Sequence, residues 1–399
     1  MMGKDRKGYQ RTYCGRMDHG GCSLLVKVYM DKVVEILPDR EGPLSRGYIC
    51  PKGLASKEKL NHPDRLKRPL LRKGPKGRPE WEEISWDKAL DIIEERFLGF
   101  REKFGPESVA FCHGMPKGLD LFVMIRLANL FGSPNVVMVQ DVCHAPREIA
   151  GLLTCGFYPV ADLRGPARAL ILWGSNLAGT NEEGQFFRLL SERLKEGARL
   201  IVVDPILHRS YKDRLDIFLP VNPGTDLALA LGMINVIISK ELYDKEFVTK
   251  WCHGFQELKE HVRGYVPEKV SPIVGIPPEL IQRAAITYAT TKPAAIVWGN
   301  AIEQIPHNFS TIRSLIILMA ITGNLDVAGG NIQPGEPNIL RPGEFVKSRL
   351  FPEKTKKMIN SYYGTIPRLM TVPPAYFRKA VIEGKPYKVV GAYFQATNP

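Results

Sequence analysis

Three cysteines, Cys14, Cys22 and Cys50, fall in one Gly-rich stretch near the start of the chain, with Asp18 and His19 between the first two. Free cysteines are commonly buried as small apolar side chains, but this stretch offers few apolar neighbours. Thiolates are also soft metal ligands. A structural zinc site uses four ligands, often in closely spaced pairs, and the chain has no C-x2-C pair. An iron–sulfur cube accepts wider spacing, because each thiolate reaches a different iron. The spacing therefore favours a cluster. Farther on, Cys143 and His144 precede Ala145-Pro146. A thiolate suits a soft metal, and an imidazole exchanges protons near neutral pH. On residue types alone the pair also reads as an ordinary loop entering a helix. Cys112, Cys155 and Cys252 match no ligand spacing and are expected in the core, and His113 and His208 are expected to be structural.

The elements that hold these residues follow from periodicity. Leu24–Leu37 alternates as a hairpin. A Lys-, Arg-, Pro- and Gly-rich connector runs from Asn61 to Pro79, and Ser85 is placed to cap a helix with Trp86, Leu90, Ile93 and Phe97 on one face. From Ala110 to Pro334 a strand, a glycine turn and a helix repeat. Ala169–Trp173 ends in Gly174-Ser175-Asn176, with a helix over Glu182–Glu196. Arg199–Val203 ends in Asp204-Pro205, and Ile217–Val221 leads through Gly224-Thr225-Asp226 into an apolar helix. Ala294–Trp298 ends in Gly299-Asn300. Continuous apolar strands alternating with helices predict a parallel sheet covered on both faces. Ligands bind at the carboxyl ends of such strands, where glycines let the backbone approach and helix N-termini favour anions. No G-x-G-x-x-G is present, which argues against a nicotinamide dehydrogenase. Val389–Phe394 reads as a further strand, where a parallel sheet would normally continue.

The 399 residues are 44% apolar and 24% charged, the balance of a globular protein. Lys and Arg number 55 against 42 Asp and Glu, a net charge of +13 concentrated in Asp64–Arg78 and Arg341–Lys357. No nucleic-acid-binding signature accompanies that excess, so no nucleic-acid partner is expected. The sequence has no apolar run long enough for a membrane span and no secretory signal or twin-arginine pair. A cytoplasmic location is expected, where disulfides are rare.

Several pieces, in this order and spacing, carry a resemblance. They are Cys14, Cys22 and Cys50-Pro51-Lys52-Gly53, then Trp81–Asp87, Phe104–Ser108 and Cys143–Pro146, then Arg199–Pro205, Pro223–Asp226, Leu242–Val248 and Arg313–Asn324. Together they resemble the molybdopterin oxidoreductase family, which includes formate dehydrogenases, sulfur-compound reductases and a non-redox, tungsten-dependent acetylene hydratase. The resemblance implies a small N-terminal iron–sulfur domain followed by parallel-sheet α/β domains. It divides the chain at 1–57, at 58–138 with 335–399, and at 139–334, without the family's C-terminal β-rich domain. A separate subunit would then supply the rest of the cofactor cap.

The implied cofactors are a 4Fe-4S cluster and a bis-molybdopterin guanine dinucleotide carrying molybdenum or tungsten. Cys14, Cys22 and Cys50 match three cluster cysteines, but no cysteine stands where the family has a fourth. Asp18 is either the fourth cluster ligand, the counterpart of an acidic residue near the metal in the hydratase, or a turn cap. Cys143 matches the side chain that binds the pterin metal. His144 follows it as in formate dehydrogenases, with Ala145 where those have glycine. Arg313 resembles an arginine beside the substrate carboxylate, and Lys52 one on the electron path from pterin to cluster. Gly174, Ser175, Asn176, Asp204, Gly224, Thr225, Asp226, Trp298 and Gly299 are the implied cofactor cradle, with Asp204 suited to guanine. Formate oxidation is the first activity implied, with electrons leaving to a redox protein or subunit. A hydratase or a non-catalytic cofactor-binding chain is the alternative.

Overall fold

The computed structural model describes residues 8–15, 21–114, 119–180, 185–335, 342–364 and 371–397. The chain divides into two compact units, residues 1–139 with 338–399, and residues 140–337.

The first unit begins with an antiparallel sheet of β1 (Tyr9–Tyr13), β2 (Ser23–Tyr29) and β3 (Lys32–Pro38), with β2 in the middle. Alternation in 24–37 had signalled the β2–β3 hairpin, and β1 adds to its edge. The basic connector is not featureless. Its β4 (Leu70–Arg72) pairs antiparallel with β5 (Trp81–Glu83), because Pro75-Lys76-Gly77 turns the chain with Gly77 at positive φ. Ser85 caps the helix Trp86–Phe104, its hydroxyl accepting from the Lys88 N–H at 3.2 Å. That helix lays Phe97 edge-on against Phe111 and Phe131. A parallel sheet follows, with β6 (Val109–His113) between β7 (Val136–Met138) and the strand Gly391–Gln395. All five residues of β6 are buried, as a strand covered on both faces requires.

In the second unit, β8 (Val160–Ala161) precedes β9 (Ala169–Trp173), β10 (Arg199–Val203), β11 (Ile217–Leu219) and β12 (Ala294–Trp298), and β13 (Asn331–Ile332) pairs back onto β8. The main sheet is parallel in the order β11-β10-β9-β12. Its side chains alternate between two cores. Ile171, Trp173, Ile201 and Val203 pack with the helix Asp226–Ser239, which is apolar on nearly every side and correspondingly buried. Leu170, Leu172, Leu200 and Val202 pack with Leu189 and Leu190 of the helix Phe186–Lys195. Among the described residues no helix is long and apolar enough to cross a membrane.

Candidate functional site

In the first unit the hairpin ladder delivers two of the three N-terminal cysteines to one place. Tyr13 pairs with Ser23, so Cys14 and Cys22 leave the same end of β1 and β2, and the Cys14 N–H donates to the Cys22 carbonyl at 2.9 Å. Asp39 braces that end: its buried carboxylate accepts from the Ser23 hydroxyl at 2.6 Å and pairs with Arg11 at 2.7 Å. Burial alone would raise the Asp39 pKa, but these donors hold it below the usual carboxylate range. Cys50 precedes the short helix Pro51–Leu54, with proline at its first position. Gly53 in that helix lies against Cys14, where an added Cβ would stand 3.9 Å from its sulfur. Lys52 is half-buried one turn position away.

Burial, and then the charges of Cys14 and Cys50, push the Cys22 thiol pKa up. Cys22 thus lies within electrostatic reach of both Cys14 and Cys50. Yet no three Cys, His, Asp or Glu side chains among the described residues are close enough to share a single metal ion. Three thiols gathered at one end of the sheet are a donor set that suits an iron–sulfur cube, with one thiol per corner. Asp18 lies outside the described residues.

In the second unit Cys143 and His144 sit in the turn that enters the helix Ala145–Cys155. Pro146 suits its first turn, because the missing N–H has no intrahelical partner there. Both side chains are half-exposed. His144 Nε2 lies 3.6 Å from the Glu148 carboxylate and packs edge-on against Tyr158, with ring centroids 5.2 Å apart. Tyr158 is brought there by Gly151, whose Cβ would stand 2.5 Å from the Phe157 carbonyl oxygen. The Asn300 Nδ2 lies 3.6 Å from Cys143 Sγ. Behind it Arg147 bonds Asn300, Glu303 and Tyr158. Burial opposes the Arg147 charge, but Tyr158 and Glu303 hold its pKa above the ordinary value. Arg147, Tyr158, Leu177, Phe186 and Trp298 line a cleft beside this cluster. Arg313 is exposed on the helix Asn308–Ile321, which packs against the helix of Ala145–Cys155.

The strand-end residues divide by what they touch. Gly299 and Gly174 permit a close approach: a Cβ on Gly299 would stand 2.0 Å from the Gly174 carbonyl oxygen. Their N–H groups extend the sheet, to Trp173 O and Val203 O. Ser175 is buried at the same strand end. Asn176 donates to His208 Nδ1 at 3.1 Å, which leaves the proton of a neutral ring on Nε2, 3.5 Å from Asp204 Oδ2. His208 thus joins a polar cluster with two cradle candidates, and the D-x3-H spacing of Asp204 and His208 was the available signal. Gly224 turns at positive φ, and Thr225 precedes the helix Asp226–Ser239, its hydroxyl donating to Asn222 O at 2.7 Å. Asp226 accepts from the Trp173 indole at 2.8 Å, and burial raises its pKa. It clamps β9 to the helix and is already engaged. Trp298 is buried at the end of β12, tilted against Tyr158. Arg147, Tyr158 and Glu303 carried no signal and Asn300 appeared only in a strand-end turn, since the helix Ala145–Cys155 and the Asn300–Glu303 turn meet only through long-range packing.

Comparison with known proteins identifies the family. A family model described as molybdopterin oxidoreductase matches residues 65–364, and one described as its Fe4S4 domain matches residues 9–62. The chain is 38% identical over 313 residues to acetylene hydratase of Syntrophotalea acetylenica, covering 78% of this chain and 42% of that protein. It is 31% identical over 341 residues to formate dehydrogenase H of Escherichia coli, covering 82% and 46%. The solved structure of acetylene hydratase from Pelobacter acetylenicus superposes with a TM-score of 0.85 at 31% identity, over 97% of this chain and 57% of that one. The chain therefore spans about half the length of the curated relatives it matches.

Proposed function

The chain belongs to the molybdopterin oxidoreductase family, with a 4Fe-4S cluster and a molybdopterin bearing molybdenum or tungsten as cofactors, and from that premise we propose that it carries the metal and cluster sites of a formate-type oxidoreductase. Cys143 would bind the metal of a bis-molybdopterin guanine dinucleotide, and Cys14, Cys22 and Cys50 would hold the cluster, with Asp18 a candidate for the fourth corner. The pterin metal supplies two-electron redox chemistry. The chain's own residues do the rest. His144, beside Glu148, takes the substrate proton, and Arg313 receives a carboxylate through its fork of donors. Gly174, Ser175, Asn176, Asp204, Gly224, Thr225, Trp298 and Gly299 cradle the dinucleotide, while Asp226 steadies the strand beneath. Lys52, beside Cys50, would lie between the pterin and the cluster, whose bound form would supply a path for electrons to a redox protein or subunit.

The observation that carries this reading is the half-exposed Cys143 thiol beside His144 at the mouth of a helix, with an amide N–H facing its sulfur. A second reading, a hydratase needing no electron acceptor, is favoured by the likeness to acetylene hydratase in sequence and structure.

Turnover with and without a viologen dye decides between them. Formate oxidation that requires the dye, and that falls to background in Cys143→Ala, is expected. Dye-independent hydration of acetylene would replace this reading with the second. Turnover of neither by metal-loaded protein would overturn both.

A further inference from the structure

Arg147 and Glu303 form an ion pair that is 6% and 1% exposed, 156 residues apart in sequence. Taking two charges out of water seldom adds net stability, so a buried pair invites the question of what it orients. Every guanidinium nitrogen of Arg147 is used: Nε on Glu303, Nη1 on the Tyr158 hydroxyl at 3.3 Å, and Nη2 on Asn300 Oδ1 at 2.7 Å. Asn300 and Glu303 are the first and last residues of one 3-10 turn, Asn300–Glu303. Side chains at i and i+3 eclipse in such a turn, so both reach the same guanidinium.

That contact fixes which way the Asn300 amide faces. A guanidinium only donates, so it must meet the amide oxygen, and the amide nitrogen is left on the opposite side. There it lies 3.6 Å from Cys143 Sγ. The turn itself is held in place. Gly299, just before it, fits against the Gly174 carbonyl, and Asn308 Nδ2 donates to the Glu303 carbonyl at 2.8 Å.

We propose that Asn300, aimed by the buried Arg147–Glu303 pair, is a positioning residue that donates an N–H···S hydrogen bond to the Cys143 thiolate and tunes the metal bound there. The proposal rests on the reading of Cys143 as the metal ligand. A hydrogen bond to a ligating sulfur withdraws charge from it and favours the reduced metal. Tyr158 couples the same network to the His144 ring.

The test uses wild type, Asn300→Ala and Arg147→Lys, with two readouts. In metal-loaded protein, EPR-monitored redox titration should show an Asn300→Ala midpoint lower by ~59 mV, a tenfold shift of the one-electron equilibrium, at unchanged metal content. Arg147→Lys, which loses the fork but keeps the charge, should shift the same way. Unaltered midpoints in both variants would overturn the tuning role, whatever happens to thermal stability.

In metal-free protein labelled with 15N-asparagine, the Asn300 side-chain amide should exchange at least ~10-fold more slowly than exposed asparagine amides. Arg147→Lys should remove that protection. Fast exchange in wild type would overturn the network itself. If wild type binds neither molybdenum nor tungsten, the metal-ligand reading fails on that ground, and the amide exchange alone still decides the Asn300 geometry.

Discussion

Glu303→Ala is expected to destabilise the second unit by about 3–5 kcal/mol, the usual cost of stranding one partner of a buried ion pair. The Arg147 guanidinium would keep its place between the helix Ala145–Cys155 and the Asn300–Glu303 turn but lose the carboxylate facing Nε. It cannot discard its proton, so the burial penalty stays in full. Glu303→Gln keeps the shape and one acceptor, and should cost clearly less. Denaturant unfolding followed by a probe in residues 140–337 checks both. A loss under about 1 kcal/mol for Glu303→Ala would place the pair with surface salt bridges instead.

The second large effect has the opposite sign. Lys354 in the first unit is fully buried, and its ammonium donates to Asn129 Oδ1 at 2.8 Å with no carboxylate paired to it among the described residues. Burial lowers its pKa from 10.5 to about 8. Below pH 8 the folded state must hold a proton in a poorly solvated place, a penalty the unfolded chain does not meet. Between about pH 8 and 10.5 the unfolded chain binds more protons, so stability rises with pH through that window. At ~1.4 kcal/mol per pH unit the penalty at neutral pH is about 3 kcal/mol. Lys354→Met removes it, offset by about 1 kcal/mol for the acceptor left on Asn129. A net gain of about 2 kcal/mol at pH 7, turning into a net loss of under about 1 kcal/mol near pH 10.5, is expected from denaturant midpoints at the two pH values. Equal changes at both pH values would contradict the burial argument.

These two lysine and arginine sites were not legible in the sequence, whereas much of the fold was. β9, β10 and β12 each end where an apolar run meets a glycine or Asp-Pro turn. β11 stops at Leu219, short of the expected Val221, because Pro220 has no N–H to continue the ladder. The described helix that follows β9 starts at Phe186, and residues 181–184, where the sequence had placed its beginning, lie outside the described set. Trp86, Leu90 and Ile93 do form a helical stripe, yet they remain exposed. Periodicity reports the helix without saying what covers it.

The candidate site was legible in the sequence where chemistry attaches to residue type. The thiols at 14, 22 and 50 stand out by type and spacing, whereas Cys143 stands out only through the family resemblance. Positions whose importance comes from a distant partner do not. Arg147 follows Pro146 as an ordinary first-turn residue, and Glu303 sits in a turn after β12. Only the packing of that turn against the helix Ala145–Cys155 makes them one network. Asp226 shows the reverse: it opens a helix like an anion-site residue, and the Trp173 indole already occupies its carboxylate.

Elemental analysis of protein purified without oxygen tests the central claim most directly. The account predicts about four irons per chain together with about one molybdenum or tungsten. Zinc in place of iron, with neither molybdenum nor tungsten, would contradict it and return Cys14, Cys22 and Cys50 to a structural role.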